Sequence, residues 1–363
     1  MIRILFLASI VLFSICSCGK GEKGNSGPQR FQLLDPTTCG ISFQNNITED
    51  YRLNVFNYEY LYNGGGVAIG DINDDGLADV YFTSTTGSNK LYINKGDLKF
   101  EDITDRAGVA ASAGFKTGVT MADVNGDGWL DIYVCRTSRQ DDGMKANLLY
   151  INNHNNTFTE KAVEYNLAGN SNTNHAAFFD YDLDGDLDMF MMNHRVSFDE
   201  ATKMRLQQRP DGSIYRQTFP LSQFESCKLM RNDGQSFVDI TEQAGLTTSA
   251  YSLSATVADI NMDNYPDIYL GNDYIEPDAI FINNNGVKFE DKAGKMLGHM
   301  AQNSMGSDVA DFNNDGLPDI ISLDMIAEDP FRYKQLMNIM QFERYQSLLK
   351  YGYGHQASRT CYN

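Results

Sequence analysis

Short apolar runs and acidic turns alternate along most of the chain, and the alternation repeats. In the first copy, the apolar run 66–70 leads into an acidic turn, and a second apolar run, 80–82, follows it. The runs are rich in β-branched and aromatic residues, a composition typical of strands. Equivalent pairs of runs lie at 118–122 and 132–134, 176–179 and 189–191, 255–258 and 268–270, and 307–310 and 320–322. The pattern predicts a protein built from repeated pairs of short strands.

Two more predicted strands complete most of the repeats. A third run ends in Asn in four repeats, at 90–94, 148–152, 228–232 and 279–283. A fourth run follows a turn rich in Asn and Gly, at 99–104, 157–160, 236–241 and 288–291. The acidic turns start 52, 57, 79 and 52 residues apart. Because four strands in a period of about 50 residues is typical of a propeller blade, we predict an all-β fold, a β-propeller of four-stranded blades.

The five acidic turns share one nine-residue pattern, at 71–79, 123–131, 180–188, 259–267 and 311–319. Position 6 is Gly in four copies and Asn264 in the other, and both residue types tolerate the positive φ of a tight turn. Such a turn lets side-chain oxygens at alternating positions converge on one point. Positions 1, 3, 5 and 9 carry Asp or Asn in every copy and are the candidate metal ligands: Asp71, Asn73, Asp75, Asp79, Asp123, Asn125, Asp127, Asp131, Asp180, Asp182, Asp184, Asp188, Asp259, Asn261, Asp263, Asp267, Asp311, Asn313, Asp315 and Asp319.

Crowded acidic side chains favour a divalent cation in these loops. Carboxylates a few ångströms apart repel strongly, so each loop is expected to splay unless a cation binds. Hard oxygen ligands on a flexible loop favour calcium over magnesium, which demands stricter octahedral geometry. An EF-hand would need a Glu at position 12, and none of the five loops has one. One copy could be a solvated acidic turn, but five copies between strands favour calcium. The third copy has an extra carboxylate at position 7, Asp186, which we expect to face solvent.

The N-terminal residues have the pattern of an export signal. Arg3 precedes an apolar run of twelve residues, 4–15, which is shorter than a membrane-spanning helix requires. A small residue, Ser17, then precedes Cys18, and this pair after an apolar run resembles a bacterial lipobox. Cys16 is the weaker candidate for modification because bulky Ile15 precedes it.

We therefore predict a lipoprotein signal peptide at 1–17, lipidation of Cys18 and a flexible tether at 18–40. The tether is expected because 19–30 is polar, rich in Gly and without apolar periodicity. These features predict an exported, membrane-anchored bacterial lipoprotein at the outer membrane or cell surface. An ordinary signal peptide with incidental cysteines is the alternative.

The charge of the chain restricts its partners. The formal net charge is −19, with 29 Lys and Arg against 48 Asp and Glu. Nucleic-acid binding depends on basic residues that neutralise phosphates, so we expect no nucleic-acid partner. A purely electrostatic attachment to anionic lipids is disfavoured for the same reason.

Taken together, the motifs resemble the FG-GAP or VCBS repeat of integrin-α-type propellers. In particular, they resemble the bacterial VCBS-repeat proteins related to cartilage acidic protein. It is carried by the runs 63–71, 89–94, 100–104 and 271–274, and it covers about residues 41–355. The resemblance implies that positions 1, 3, 5 and 9 of each loop bind calcium, and that the metal braces the turn between two strands of a blade.

Five loops leave the predicted ring of blades incomplete. Residues 41–330 hold the recognisable repeats, whereas 331–363 has helix-like periodicity, basic residues and no obvious final strand. Many members of the family continue into further repeats and a C-terminal ASPIC/UnbV domain, which is not visible in this sequence. We expect a truncated chain or an incomplete ring, in which 331–363 is a helical segment or part of an unfinished blade. Completion of the last blade by residues 31–62 is a further alternative.

One insertion and five histidines are the remaining candidates for function. The longest interval between loops exceeds the shortest by 27 residues (79 − 52), and the excess lies around 195–226. This segment contains the basic residues Arg195, Lys203, Arg205, Arg209 and Arg216. Because insertions in propellers map to functional loops, we regard it as a candidate partner or glycan contact, with a solvated loop as the simpler interpretation.

Two functions fit these observations. Neither H-E-x-x-H nor G-x-S-x-G occurs, and the organised acidic residues are already assigned to the loops. A structural role is favoured for both His175 and His194, although the two could lie near one face. We therefore favour a calcium-binding adhesion or scaffold module for an extracellular protein or polysaccharide over an enzyme. The alternative is a calcium-dependent glycan-active enzyme, a lyase or a hydrolase.

Overall fold

The computed structural model describes residues 31–51, 53–137, 145–222, 224–325, 329, 331–332, 342–357 and 361–362. The chain divides into two compact units, Met1–Cys39 and Gly40–Asn363. In the first unit, residues 31–39 contain one short helix, α1 (Pro36–Cys39). Asp35 precedes it and accepts a hydrogen bond from the backbone N–H of Thr37 at 2.8 Å, as N-terminal capping residues do. The predicted signal peptide and Cys18 lie outside the described residues.

The second unit contains four sheets of four strands each, called blades 1 to 4, and their strands pair antiparallel in chain order. Blade 1 comprises β1 (Val67–Gly70), β2 (Asp79–Phe82), β3 (Lys90–Asn94) and β4 (Phe100–Asp102). Blade 2 comprises β5 (Phe115–Ala122), β6 (Asp131–Thr137), β7 (Leu148–Asn152) and β8 (Phe158–Glu160). Blade 3 comprises β9 (Thr173–Phe179), β10 (Asp188–Asn193), β13 (Lys228–Asn232) and β14 (Phe237–Asp239), with the inserted hairpin β11 (Leu206–Gln208) and β12 (Ile214–Arg216). Blade 4 comprises β15 (Tyr251–Ala258), β16 (Asp267–Asp273), β17 (Ala279–Asn284) and β18 (Lys288–Asp291). The prediction of an all-β fold is confirmed, with four strands in four of the five repeats.

Blade 5 has three strands in the described residues, β20 (Ser304–Ala310), β21 (Asp319–Asp324) and β23 (Cys361–Tyr362). β23 lies in the segment 331–363 that the sequence offered as part of an unfinished blade, although it located no strand there, and it pairs with β21 through Ile321 and Ser322. The last blade thus gains its third strand from the C-terminal residues rather than from the N-terminal ones. A short parallel pair, β19 (Met300–Ala301) with β22 (Gln356–Ala357), lies beside it.

The helices are short and connect the strands. One-turn helices follow the fourth strands of blades 1, 3 and 4: α2 (Thr104–Ala107), α3 (Thr241–Ala244) and α4 (Ala293–Met296). A 3-10 helix at Glu59–Tyr62 precedes blade 1, and α5 (Phe342–Lys350) precedes β22. Among the described residues, no helix has the length and apolar character needed to cross a membrane.

The middle strands of blades 2 and 3 are buried on both faces because each of these blades lies between two others. Every residue of β10 is buried, and in β6 only Arg136 is partly exposed. Such strands carry continuous apolar runs instead of alternating ones. Between blades 1 and 2, for example, Tyr81 and Leu91 pack with Ile132 and Val134 in one cluster. The core is therefore a series of interfaces between successive blades.

The first strands of successive blades lie side by side. β1 contacts β5, β5 contacts β9, β9 contacts β15, and β15 contacts β20. Hydroxyl groups bridge them: Thr117 Oγ1 donates to the carbonyl of Thr173 at 2.7 Å, and Thr120 Oγ1 donates to that of Ala176 at 2.6 Å. These contacts bring the beginnings of the five first strands together around one axis.

The insertion at 195–226 packs back onto the molecule. Arg216 pairs with Glu276 of blade 4, and Arg195 pairs with Glu225 at 3.4 Å. Lys203 pairs with a neighbour in the insertion, Glu200, at 2.8 Å. Three of its five basic residues therefore have carboxylate partners, which reduces the positive charge that the segment offers to a ligand.

Candidate metal centres in the repeat loops

The acidic loops are numbered 1 to 5 in chain order, and in loops 1 to 4 position 9 joins the loop to the third strand of its blade. In loop 1, Asp79 accepts two backbone hydrogen bonds, from Ile72 at 3.1 Å and from Asn94 at 2.7 Å. Loops 2 to 4 repeat both bonds through Asp131, Asp188 and Asp267. Because Asn94 and its counterparts end the third strand or lie near its end, this carboxylate joins the loop to that strand.

Position 1 closes the turn. In loop 1 the two carboxylate oxygens of Asp71 accept hydrogen bonds from the backbone N–H groups of Asp75, at 3.2 Å, and Gly76, at 2.7 Å. The same pair of bonds is made by Asp123, Asp180, Asp259 and Asp311. The loop therefore turns its acidic side chains inward over its own backbone.

Positions 3 and 5 continue this arrangement. Asn73 Oδ1 accepts the backbone N–H of Asp75 at 3.2 Å, and Asp75 Oδ1 accepts that of Leu77 at 2.9 Å. Asn125, Asn261 and Asn313 make the first bond in their own loops. The predicted ligand positions thus face the inside of one turn.

Two positions in each loop adopt left-handed backbone angles. Position 6 does so, as predicted, with φ from 73° at Asn264 to 101° at Gly185. Position 4 does so as well, and it carries unfavourable residues such as Leu183 and Met262, both at φ 62°. An L-residue in this region costs roughly 1–2 kcal/mol. No sequence signal indicated this conformation, because position 4 has no consistent residue type.

Burial and neighbouring charge shift the acidity of position 9. Burial raises the pKa of Asp131 to about 6 and that of Asp188 to about 7. The backbone N–H donors oppose this shift in both residues, and nearby loop carboxylates such as Asp127 add to it. Burial also raises the pKa values of Asp79 and Asp267. A cation in the loop would stabilise the charged form of each group.

Loop 3 fits a cation best among the described residues. Carboxylate oxygens of Asp180, Asp182 and Asp188 all lie within 4.8 Å of one another. One oxygen of Asp182 and one of Asp186 are enclosed without a hydrogen-bond partner. Such oxygens can only accept, so a cation would satisfy them. Asp186, which we expected to face solvent, is half-buried and, together with Asp184, lines an open cavity of about 540 Å³.

Loop 5 is the most open. Asp311 and the residues up to position 7 are exposed, and Asp319 is half-buried. Asp319 keeps the backbone bond from Phe312 at 3.0 Å. Its other oxygen accepts from Asn313 Nδ2, within the same loop, at 3.3 Å.

The Asn at the end of the third predicted run is a supporting residue that the sequence analysis left without a role. Asn152 Nδ2 donates to the carbonyl of Leu130 in its own loop, at 3.0 Å, and to that of Ile72 in the preceding loop, at 2.8 Å. Asn283 bonds Pro266 and Tyr181 in the same way. The recurrence of Asn at the end of this run was the available signal.

His194, for which the sequence favours a structural role, lies in the core. It is fully buried, its Nε2 lies 2.9 Å from the Tyr58 hydroxyl, and burial lowers its pKa to about 4. The ring is therefore neutral near pH 7.

The family of FG-GAP-like repeats matches residues 71–134, 137–191 and 263–322. Cartilage acidic protein 1 of Xenopus tropicalis is 36% identical over 114 residues, which is 30% of this chain and 17% of that protein. Its counterpart in Homo sapiens is 32% identical over 109 residues, 30% of this chain and 16% of that protein. The aligned part is thus less than a fifth of the length of these relatives.

A similar solved structure is the V. cholerae biofilm matrix protein Bap1, with a TM-score of 0.34 and 13% identity over 71% of this chain and 34% of that chain. A TM-score at this level does not establish a shared arrangement of the blades. The matches to the repeat family coincide with the loops and strands described above. The chain therefore carries FG-GAP-like repeats and, over about 30% of its length, is similar to cartilage acidic protein 1.

Proposed function

We propose that the chain is a calcium-braced binding module of the cell surface. Repeats of this type are typical of binding and adhesion modules, and the described residues form one continuous series of packed blades. In such an array each unit is stabilised mainly by its neighbours, so a brace in each blade strengthens the whole surface.

The recurrence of one loop geometry in five blades is the observation that carries the proposal. The side chains at positions 1, 3, 5 and 9 would hold the ion, and loop 3 would add Asp186. A bound cation would supply positive charge where crowded carboxylates otherwise repel. Oxygen ligands on a flexible turn favour calcium over magnesium.

Removal of the metal tests whether calcium stabilises the folded blades. Protein purified with calcium and then treated with EDTA should melt at a clearly lower temperature, because a ligand that binds only the folded state stabilises it. At a concentration 100-fold above Kd, each site should contribute about 2.7 kcal/mol. Refilling with calcium should restore the melting temperature, whereas an equal concentration of magnesium should restore much less. An unchanged melting temperature in EDTA would contradict the proposal.

Turnover assays separate the module from the alternative glycan-active enzyme. A panel of polysaccharides is incubated with the calcium-loaded protein and with the EDTA-treated protein, and reducing ends and unsaturated products are measured. We expect binding without turnover. Calcium-dependent release of products would favour the lyase or hydrolase.

We further propose that a lipid on Cys18 anchors the module to the membrane. The support is the pattern of Arg3, the apolar run and Ser17 before Cys18. Expression with labelled palmitate in a bacterial host should label the protein, and Cys18→Ala should abolish the label. Cys16→Ala is the matched control and should remain labelled; the opposite result would assign the lipid to Cys16.

A further inference from the structure

A cavity lies on the axis around which the first strands of the five blades converge. It encloses about 410 Å³, and every blade contributes to its lining, through Gly66, Gly118, Asn174, Leu253 and Met305. This volume falls within the range of about 300–1,000 Å³ found for small-molecule sites. One ligand in this cavity could therefore contact all five blades.

Glycines set the shape of the cavity. A Cβ on Gly66 would lie 2.7 Å from the backbone nitrogen of Val119, and one on Gly118 would lie 2.6 Å from the carbonyl oxygen of Asn174. Both distances are too short, so only glycine allows these first strands to approach. A Cβ on Gly64, where φ is 93°, would have no atom within 4 Å and would point into open space. The strands thus close tightly around the axis while the cavity itself stays unfilled by side chains.

The lining of this axial cavity mixes polar and apolar groups in about equal measure and carries no acidic or basic side chain apart from a histidine, in a chain with a net charge of −19. Asn63, Asn174 and His175 contribute side chains that have no hydrogen-bond partner among the described residues. Burial lowers the pKa of His175, so its ring is neutral at pH 7 and offers one donor and one acceptor. Each amide adds two donors and an acceptor. Leu253 and Met305 form an apolar wall beside these groups.

We propose that the axial cavity binds an uncharged, hydroxyl-rich ligand of one or two rings, such as the end of a neutral polysaccharide. Hydroxyl groups both donate and accept and can therefore replace water on these amides and the imidazole, and the C–H faces of a sugar ring can pack on Leu253 and Met305. An acidic sugar would lose hydration here without gaining a counter-charge. This inference rests on the proposed binding role and names its ligand class.

The test uses an array of neutral and uronate-containing oligosaccharides, followed by calorimetric titration of the neutral sugars that bind. The double variant N174A/H175A removes the polar contacts, and Leu253→Trp fills the cavity. We expect the double variant to bind at least tenfold more weakly and Leu253→Trp to lose binding. His299→Ala, which replaces a histidine outside the cavity lining, is the matched control and should bind like the unmodified protein.

Melting temperatures in calcium establish that each variant is folded, and they distinguish this inference from the proposed function. If calcium raises the melting temperature but no neutral sugar binds, the axial site is wrong and the calcium brace stands. Equal affinity in all variants, or binding of uronates alone, would also overturn the site. If calcium has no effect on the melting temperature while both cavity variants lose sugar binding, the axial site is supported and the proposal that calcium stabilises the blades is wrong.

Discussion

Loops 3 and 5 share the same acidic pattern, but their surroundings differ. Much of loop 3 is half-buried, and the third strand of its blade supplies the N–H of Asn232 to Asp188 at 2.9 Å. Blade 4 also contacts loop 3, because Asn283 Nδ2 donates to the carbonyl of Tyr181 at 2.8 Å. Loop 5 lies largely in solvent, and the described residues of its third strand pair only near Ile321 and Ser322.

The difference teaches that the nine-residue pattern alone does not make an enclosed cation site. The pattern bends the loop and points its oxygens inward in both blades. In loop 3 the third strand also holds position 9 through Asn232, and the following blade holds position 2 through Asn283. Since buried charges interact more strongly than solvated ones, we expect loop 3 to bind calcium more tightly than loop 5.

The largest change in the free energy of unfolding should come from removing the position-9 carboxylate of loop 3. Asp188→Ala leaves two buried backbone N–H groups without an acceptor, each worth about 1–3 kcal/mol. We expect urea unfolding in saturating calcium to show a loss of about 3–5 kcal/mol. Asp319→Ala, the matched change in the exposed loop, should cost about 1 kcal/mol or less. Equal losses would contradict the distinction between the two loops.

Protonation of His194, at the end of blade 3, should make the stability of the fold depend on pH. Its pKa is about 4 in the folded protein, against about 6.5 in the unfolded chain. Between these values the unfolded chain takes up a proton that the folded one does not, so stability falls as the pH decreases from 6.5 towards 4. The loss should reach about 3 kcal/mol.

His194→Gln is the control for this pH dependence. It removes the titrating ring, while the other ionisable groups of the protein remain. The difference between the two urea-unfolding profiles therefore isolates His194. Parallel profiles from pH 7 to pH 4 would show that the imidazole does not titrate as its burial beside Tyr58 and Tyr60 requires.

Asn283→Ala should make loop 3 resemble loop 5. The change removes donors from the carbonyls of Tyr181 and Pro266, at 2.8 and 3.2 Å, and should cost about 2 kcal/mol. It should also weaken calcium binding at loop 3. Asn94→Ala is the matched control, because Asn94 Nδ2 donates to Ala78 within its own blade, and it should cost about 1 kcal/mol. A cost for Asn283→Ala no larger than the control would rule out support from the following blade.

The repeat, the strands and the inward-facing positions could be predicted from the sequence because each depends on local pattern. Alternation of apolar runs and turns specifies strands, and Gly at position 6 specifies the bend. The support of loop 3 by the next blade could not be predicted, since it depends on the packing of blade 4, where a Cβ on Gly286 would lie 2.7 Å from the Cα of Asp182. Nor could β23, whose two residues pair with a strand about 40 positions earlier. Such contacts leave no periodic signal in the chain.

The smallest expected effect is a change in calcium affinity when the residues at position 3 are exchanged between loops 3 and 5. Asp182→Asn gives loop 3 the residue that loop 5 has, and Asn313→Asp makes the reverse change. Removing one of the clustered carboxylates should weaken the tightest calcium-binding step about tenfold, or about 1.4 kcal/mol. The added carboxylate in loop 5 should strengthen its binding by less than this, because solvent screens an exposed charge. Calorimetric titration of both variants measures the two changes. If Asn313→Asp strengthened loop 5 as much as Asp182→Asn weakened loop 3, ligand type would matter more than enclosure, and the contrast between the two blades would have to be explained by charge alone.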